Sequence, residues 1–346
     1  MNDKSKGRGS LFNTVNPYST YHLEEEAAEW EPVQTKYHPV EAKTIVNQVS
    51  SPDLNFEYSL NPYQGCEHGC AYCFARPTHE YWGYSAGLDF ESTILVKENA
   101  PSLLEALFTK KSYVPKTIML SGNTDCYQPI ERKLGLTRAL LELALRYKNP
   151  VSIITKNALV LRDLDILSEL AKHNLTYVTL SIPTLDEPLR RVMEPRTSTA
   201  SNKIKTIQTL SAHGIPVHVM VAPIIPGLTS HECLSILKAS SQAGARSAGY
   251  ALLRLNDTVE PVFSRWIETH FPDKARKVRN LLKDCREGEV SEKRFFIRTR
   301  GSGPVAEAIA QSFALGRKKY FQDRKRPQLT TTLFDPSGGT QLRLFP

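Results

Sequence analysis

The chain has 346 residues, of which 40% are hydrophobic, and its formal net charge is +8. It contains no run of 18 apolar residues, which excludes a membrane-spanning helix, and its polar beginning excludes an apolar signal segment. We therefore expect a cytoplasmic protein whose six cysteines are reduced rather than paired in a disulfide scaffold. The basic surplus favours an anionic partner such as nucleic acid, although many basic proteins bind none.

Residues 1–54 show no sustained periodicity and predict an irregular N-terminal arm, either disordered or wrapped on the rest of the protein. Between residues 55 and 255, six strand-like segments alternate with helix-like segments. The six strands are FEYSLN, KTIMLSG, VSIITKN, TYVTLSI, VHVMVAPIIPG and RSAGYALLRL, and the short strand STILVK is left out of this count. Alternating β and α units predict a parallel sheet curved into a partial (β/α)6 barrel, two units short of a complete one.

The periodicity changes after residue 255. Residues 256–322 predict a helical C-terminal extension of three helices, which we expect to cap the open side of the barrel. Residues 323–346 contain proline and glycine without a packing periodicity, and they predict a flexible tail.

A cluster of cysteines follows the first strand of the barrel. Cys66, Cys70 and Cys73 have the spacing C-x3-C-x2-C, with Tyr72 before the last of them, and no fourth ligand is close in sequence. A structural zinc site needs four protein ligands, whereas three thiolates on a [4Fe-4S] cluster leave one iron open for chemistry. A zinc knuckle with a distant fourth ligand and three purely structural thiols are the alternatives.

This spacing, with its aromatic residue, resembles the signature of the radical SAM superfamily. The resemblance implies that the three cysteines hold a [4Fe-4S] cluster whose open iron binds S-adenosylmethionine (SAM). It also implies that an electron, delivered by a donor such as flavodoxin or ferredoxin, splits SAM into methionine and a 5′-deoxyadenosyl radical. That radical abstracts a hydrogen atom from the substrate, while the protein positions and shields the cofactors.

Later segments resemble one branch of this superfamily, that of spore photoproduct lyase and DNA-repair-photolyase-like proteins. They are SGNTD (121–125), TKN (155–157), LSIPTLD (180–186), EPR (194–196) and APIIPGL (222–228). The resemblance implies that SAM contacts the polar segment that ends the second strand and the ends of the next two strands. The implied cofactor-binding residues are Tyr72, Ser121, Gly122, Asn123, Asp125, Lys156 and Ser181. Three of these also have ordinary structural interpretations: Lys156 as a solvated strand end, Asp125 as a turn cap and Ser181 as a buried hydroxyl.

Cys126 lies just after the polar segment. Spore photoproduct lyase uses a cysteine near this region as a hydrogen donor to the product radical, so the resemblance makes Cys126 a catalytic candidate. A small buried cysteine that only packs is the alternative. Cys233 and Cys285 fall on helix-like segments, and we expect them to pack as well.

The C-terminus carries the residues Gln341-Leu342-Arg343-Leu344-Phe345. They resemble the Q-L-x-L-F peptide with which bacterial replication and repair proteins bind the sliding clamp. Gln328–Phe334 is a looser version of this motif, and basic clusters at 317–319 and 324–326 precede the two motifs. The alternatives are a tail that packs on its own barrel and basic clusters that are simply solvated.

Together these features predict a radical SAM enzyme that acts on damaged DNA as a lyase or repair enzyme. Radical modification of RNA or of a protein is the first alternative. A non-catalytic iron–sulfur or zinc protein that binds DNA is the second.

Overall fold

The computed structural model describes residues 7–18, 33–54, 56–256 and 258–339. In chain order its strands are β1 (Lys36–Pro39), β2 (Val46–Gln48), β3 (Tyr58–Leu60), β4 (Tyr63–Gln64), β5 (Thr93–Val96), β6 (Ile118–Leu120), β7 (Val151–Thr155), β8 (Thr176–Ser181), β9 (Val217–Ile224) and β10 (Ser247–Leu252). The helices are α1 (Asp89–Ser92), α2 (Ala100–Phe108), α3 (Glu131–Leu134), α4 (Leu136–Arg146), α5 (Leu164–Lys172), α6 (Glu187–Met193), α7 (Ala200–Ala212), α8 (Cys233–Gln242), α9 (Val259–His270), α10 (Pro272–Asp284), α11 (Ile297–Arg300) and α12 (Gly303–Tyr320). None of the helices in these ranges is long and apolar enough to cross a membrane.

The central sheet has seven strands in the order β10-β9-β8-β7-β6-β3-β2. Its six strands from β3 to β10 pair in parallel, and β2 is antiparallel to β3. Helices connect the successive parallel strands, which confirms the predicted partial (β/α)6 barrel. The segment STILVK forms β5 in a separate small sheet with β1 and β4, so its exclusion from the six strands is also confirmed.

The main hydrophobic core lies between the barrel strands and the helices around them. On β9 the valines Val217, Val219 and Val221 belong to this core, so the residues between them face the inside of the barrel. His218 and Met220 are two of these inward residues. The inside of the barrel therefore contains polar and flexible side chains.

The N-terminal arm is ordered where the structure describes it, and two parts of it are strands rather than irregular chain. β1 pairs with β5, with Lys36 opposite Thr93, and β2 pairs with β3, with Val46 opposite Leu60. These strands have only four and three residues, and all four side chains of β1 are exposed. Such short segments show no alternation in sequence because backbone pairing, rather than burial of one face, forms them.

The C-terminal extension packs on two regions of the barrel. Trp266 of α9 and Leu282 of α10 share a hydrophobic cluster with Tyr72, and α12 lies against α8. Arg298 of α11 forms an ion pair with Asp53, with Nε and Oδ2 2.6 Å apart. Because Asp53 follows β2 and α11 contacts β10, this pair joins the two edge strands of the open barrel. The predicted bounds of the N-terminal arm (1–54), the barrel (55–255), the extension (256–322) and the tail (323–346) stay predictions.

Residues 323–339, which we expected to belong to a flexible tail, instead pack on the barrel. The Arg324 guanidinium donates to the carbonyl of Ser241 at 2.9 Å, and the Thr330 N–H donates to the carbonyl of Asn174 at 3.1 Å. Phe334 packs on the ring of Tyr113, with centroids 5.3 Å apart, so the looser clamp-like segment contacts its own protein. Several of these contacts lie just before barrel strands begin, so the tail crosses the base of the barrel. The clamp-like residues 341–345 lie outside the described residues.

Candidate active site at the carboxyl ends of the strands

The cysteine loop begins two residues after β4. Cys66 and Cys70 are buried, Cys73 is half-buried, and all three thiols are free. The Cys66 N–H donates to the carbonyl of Phe90 at 2.8 Å, which ties the start of the loop to α1. Gly69 has φ of +62°, and a Cβ there would lie 2.8 Å from a carboxylate oxygen of Glu91. Only glycine fits this turn, because of its backbone conformation and because Glu91 lies so close.

A buried ion pair between Arg76 and Glu91 holds this loop. Both side chains are fully buried. The Arg76 guanidinium also donates to the carbonyls of Cys70 and Gly87, each at 2.8 Å. It therefore fixes the backbone at the second cysteine, and a charged donor makes these hydrogen bonds stronger than neutral ones.

The N-terminal arm reaches the same ion pair from the other side. The N–H groups of Gly9 and Ser10 donate to the Glu91 carboxylate at 2.9 and 2.7 Å. A Cβ on Gly9 would lie 1.8 Å from the carbonyl oxygen of Gly69, so the arm touches the backbone of the cysteine loop directly. The arm is thus part of the wall around the three thiols.

The polar segment 121–125 lies at the carboxyl end of β6. Ser121 has φ of +76°, and its hydroxyl accepts a hydrogen bond from the Cys126 N–H at 2.7 Å. The side-chain oxygen of Asn61 accepts from the Asn123 N–H at 2.9 Å. A Cβ on Gly122 would approach the Ser59 Cβ to 3.0 Å, so glycine allows the segment to lie close to β3. The turn is held by side chains from neighbouring strand ends.

Asp125 connects this turn with the cysteine loop and the end of β7. Its carboxylate accepts from the Thr155 hydroxyl and the Lys156 N–H, both at 2.8 Å, and lies 3.3 Å from Nδ1 of His68. Burial alone would raise the pKa of Asp125, but the charge and hydrogen bond of His68 and the N–H groups of Lys156 and Tyr127 outweigh it and lower the pKa. Burial opposes protonation of His68, yet the charges of Asp125 and Cys66 raise its pKa to about 10. Asp125 therefore positions the loop and the strand end together, which is more than capping a turn.

Lys156 belongs to a buried charged network. Its Nζ lies 3.7 Å from Oε1 of Glu194, and Nζ of Lys203 lies 2.8 Å from Oε2 of the same carboxylate. The Tyr72 hydroxyl also donates to Glu194. Burial alone would raise the pKa of Glu194, but the charges of Lys203 and Lys156 bring it to about 2. Two ammonium groups facing one carboxylate leave one positive charge beside the cysteine loop, so Lys156 is not a solvated strand end.

Ser181 is the last residue of β8 and is buried. The ends of β6, β7 and β8 are neighbours in the sheet, so Ser121, Lys156 and Ser181 lie along one edge of it. The structure thus brings the predicted residues to the carboxyl edge of a parallel sheet, where barrel enzymes place their active sites.

Cys126 directly follows the polar segment 121–125, but its side chain is fully buried in the main hydrophobic core. Burial raises the pKa of its thiol well above the usual range. This environment is the one expected for packing, and the hydrogen-donor role stays a prediction.

A family model described as the radical SAM superfamily matches residues 60–239, more than half of the chain. The chain belongs to the radical SAM superfamily. Uncharacterized protein Rv2578c of Mycobacterium tuberculosis is 34% identical over 250 residues, which span 71% of this chain and 74% of that protein. Uncharacterized protein MJ0683 of Methanocaldococcus jannaschii is 29% identical over 241 residues, 70% of this chain and 86% of that protein.

Among solved structures, spore photoproduct lyase complexed with dinucleoside spore photoproduct has a similar fold. The TM-score is 0.60 at 16% identity, and the match covers 82% of this chain and 79% of that chain. At this identity the likeness concerns the fold alone.

Radical SAM proteins use a [4Fe-4S] cluster and SAM. The donor set on the cysteine loop fits such a cluster: three free thiols lie on one buried loop. Burial raises the pKa of Cys70 well above its usual range and that of Cys73 to about 11, so binding as thiolates needs the positive charge of a metal. In the described ranges, no three His, Cys, Asp or Glu side chains gather around a single ion. In a cluster each thiolate binds a different iron, so that convergence is not required.

Sequence reasoning missed four charged residues of this site: Arg76, Glu91, Glu194 and Lys203. Glu194 was part of a matching tripeptide, but nothing near it in sequence indicated its partners. Tyr72 is 122 positions away from it, and Glu91 is 82 positions from Gly9. No local signal could have found these partners, because each lies far away in sequence.

Proposed function

We propose that this radical SAM protein cleaves SAM to start hydrogen abstraction from a base or sugar of damaged DNA. Cys66, Cys70 and Cys73 hold the cluster, which, when bound, supplies the electron that generates the 5′-deoxyadenosyl radical. The observation that carries the proposal is the network of Lys156, Glu194 and Lys203, because it leaves one buried positive charge beside the three thiols.

That charge suits the carboxylate of SAM. A partly buried ammonium group that shares its carboxylate with a second ammonium group still attracts an anion, because partial desolvation weakens competition from water. Lys156 is the member of the network with an accessible side chain, at 19% exposure against 1% for Lys203. We therefore assign direct contact with SAM to Lys156, and to Lys203 the role of keeping Glu194 ionised.

The remaining residues orient the cofactor. Ser121, Gly122 and Asn123 form the tight turn at the carboxyl end of β6, and they suit the amino group of SAM. Ser181, two strands further along the sheet, suits the ribose or the carboxylate. Asp125 and His68 hold the turn, the strand end and the cysteine loop in one arrangement.

DNA as substrate is supported by the net charge of +8 and by the fold shared with spore photoproduct lyase, whose solved complex holds a dinucleoside photoproduct. The test is 5′-deoxyadenosine formation by the reconstituted, chemically reduced protein, with UV-irradiated duplex DNA, intact duplex DNA or no DNA. We expect a rise with irradiated DNA only. A slow basal rate that DNA does not change would contradict repair and favour RNA or protein substrates. Zinc binding without SAM cleavage would contradict enzymatic activity.

We further propose that Gln341–Phe345 binds the bacterial sliding clamp. Support comes from the docked tail, whose last described residues lie near Tyr147, at the opposite end of the barrel from the thiols. Replacing Leu344 and Phe345 together by alanine should abolish clamp binding in a pull-down or by surface plasmon resonance, whereas Leu333→Ala in the looser segment should not. Unchanged affinity of the double variant would contradict the motif.

A further inference from the structure

Buried polar atoms without hydrogen-bond partners concentrate in one corner of the protein. Among the described residues, five of the ten such side-chain atoms belong to the stretch after β10 and to the loop after α10. They are Nε of Arg254, Oδ1 of Asn256, Nε and Nη1 of Arg286, and Oγ of Ser291. Four of the five are hydrogen-bond donors, and leaving buried donors unpaired costs free energy. The corner is therefore built to receive a group rich in acceptors.

The same corner carries two arginines that form no ion pair with any carboxylate of the described residues. Arg286 is 1% exposed, and its guanidinium donates to the carbonyl of Leu253. In the described part of the chain neither Arg286 nor Arg254 has a carboxylate within ion-pair distance. Asp53 is already paired with Arg298, and the other acid of the corner, Glu292, with Arg294, at 2.6 Å each. Burial lowers the pKa of Arg286, and the nearby charge of Arg254 lowers it further.

This corner lies at the mouth of the barrel, beside the cysteine loop. Arg254 comes two residues after the carboxyl end of β10, the edge strand next to the open side. The side-chain amide of Asn256 donates to the carbonyl of Phe74 at 3.4 Å, and Phe74 directly follows Cys73. An anion held here is thus close to the loop that carries the three thiols.

We propose that Arg254 and Arg286 bind one backbone phosphate of a nucleic acid strand that enters the open side of the barrel. This inference rests on the proposed function and deepens it, because it names how the substrate strand is held. Arg254 is half-buried and makes the contact, since a guanidinium group matches two phosphate oxygens at once. Arg286 lies behind it and supplies a second positive charge.

The test is the affinity of the holoprotein for a fluorescent oligonucleotide, measured by anisotropy over a range of salt concentrations. We expect Arg254→Gln to weaken binding about tenfold and to reduce the slope of log affinity against log salt by about one, because one phosphate contact is lost. The matched control is Arg246→Gln, which removes the same charge from the opposite end of β10. It should change affinity by no more than about twofold, since it makes no phosphate contact.

Equal effects of the two substitutions would overturn the proposal, because the corner would then contribute only to the non-specific electrostatic attraction between protein and oligonucleotide. Arg286→Met should weaken binding like Arg254→Gln, and Arg286→Lys should retain most of the affinity. If Arg286→Met does not fold, Arg254→Gln still decides. A separate binding measurement with inorganic phosphate tells whether the site takes free phosphate or the phosphate of a nucleic acid. Arg254-dependent binding of free phosphate, together with oligonucleotide binding that does not depend on Arg254, would overturn the assignment to a nucleic acid.

The two proposals fail in different ways. If irradiated DNA does not stimulate 5′-deoxyadenosine formation but Arg254-dependent oligonucleotide binding persists, repair is wrong and the phosphate site stands. If stimulation persists equally in wild type and Arg254→Gln, with unchanged affinity, the phosphate site is wrong and repair stands.

Discussion

Nζ of Lys203 lies 2.8 Å from Oε2 of Glu194, and the two side chains are 1% and 0% exposed. Lys156 approaches the other carboxylate oxygen at 3.7 Å. A carboxylate shared by two buried ammonium groups is held ionised, and each ammonium group depends on it in turn. The network therefore links the stability of the barrel to the charge available for SAM.

Glu194→Gln should be strongly destabilising, because it leaves both lysines buried without a counter-ion. We expect the free energy of unfolding to fall by about 3–5 kcal/mol, the usual cost of breaking a buried pair. Adding Lys203→Met should recover part of this loss. Denaturant unfolding measures both.

The control for this prediction is Glu169→Gln, which breaks an ion pair with Lys172 whose side chains are 42% and 67% exposed. Such a surface pair contributes less than about 1 kcal/mol. Similar small losses in both variants would show that the Glu194 network does not stabilise the fold.

The barrel itself was predictable from sequence because its strands are β-branched and buried against helices. Val217, Val219 and Val221 alternate on one strand, and this alternation indicates a strand from the local sequence alone. The cysteine loop was predictable because its three ligands are neighbours in sequence.

The parts that sequence did not reveal depend on contacts between distant segments. Gly9 and Glu91, or Arg298 and Asp53, meet only because the whole fold brings them together, and neither pair has a local pattern. The docked tail is a similar case, since Phe334 finds its apolar partners on α2 and the loop after it. Proline and glycine in a segment indicate an irregular backbone, which is compatible with tight packing.

The base of the barrel should be sensitive to pH through His218. Burial, together with the charges of Arg326 and Arg317, lowers the pKa of His218 to about 4. The unfolded chain takes up this proton near pH 6.5, whereas the folded protein does so only near pH 4, so stability falls as the pH falls through this window. The slope is at most about 1.4 kcal/mol per pH unit for one proton.

His218→Gln should remove this slope between pH 6.5 and pH 4 while keeping a hydrogen-bonding group for Ser247, whose hydroxyl lies 2.8 Å from Nδ1. Urea unfolding at several pH values measures the effect. An unchanged slope in the variant would assign the pH dependence to other groups. His213→Gln, on the exposed end of α7, is the control and should leave the slope as it is.

Cys126→Ala tests whether this thiol takes part in the reaction. We expect an unchanged distribution of products and a moderate loss of stability, because the side chain is fully buried in the main core. Product analysis after turnover with irradiated DNA, alongside thermal unfolding, provides both readouts. A changed product distribution with normal 5′-deoxyadenosine formation would support the hydrogen-donor role. Cys233→Ala, in the same core but on α8, is the matched control.

Gly9→Ala should expose the cysteine loop to oxygen without disturbing the barrel strands. The new Cβ would lie 1.8 Å from the carbonyl oxygen of Gly69. Because this oxygen belongs to the backbone, it cannot rotate away as a flexible side chain could. The arm must therefore lift away, and the Glu91 carboxylate loses the N–H groups of Gly9 and Ser10. Water then reaches the Arg76–Glu91 pair that fixes the backbone of Cys70.

We expect this variant to lose iron and sulfide in air several-fold faster than wild type, because an opened arm leaves the thiolates accessible. Iron and sulfide content per chain, followed over time after reconstitution, measures the rate. Val15→Ala changes a 69% exposed residue of the same arm and should behave as wild type. If Gly9→Ala retains its cluster as long as Val15→Ala does, the arm does not protect the loop, and protection must come from other elements such as α9 and α10, which share a hydrophobic cluster with Tyr72.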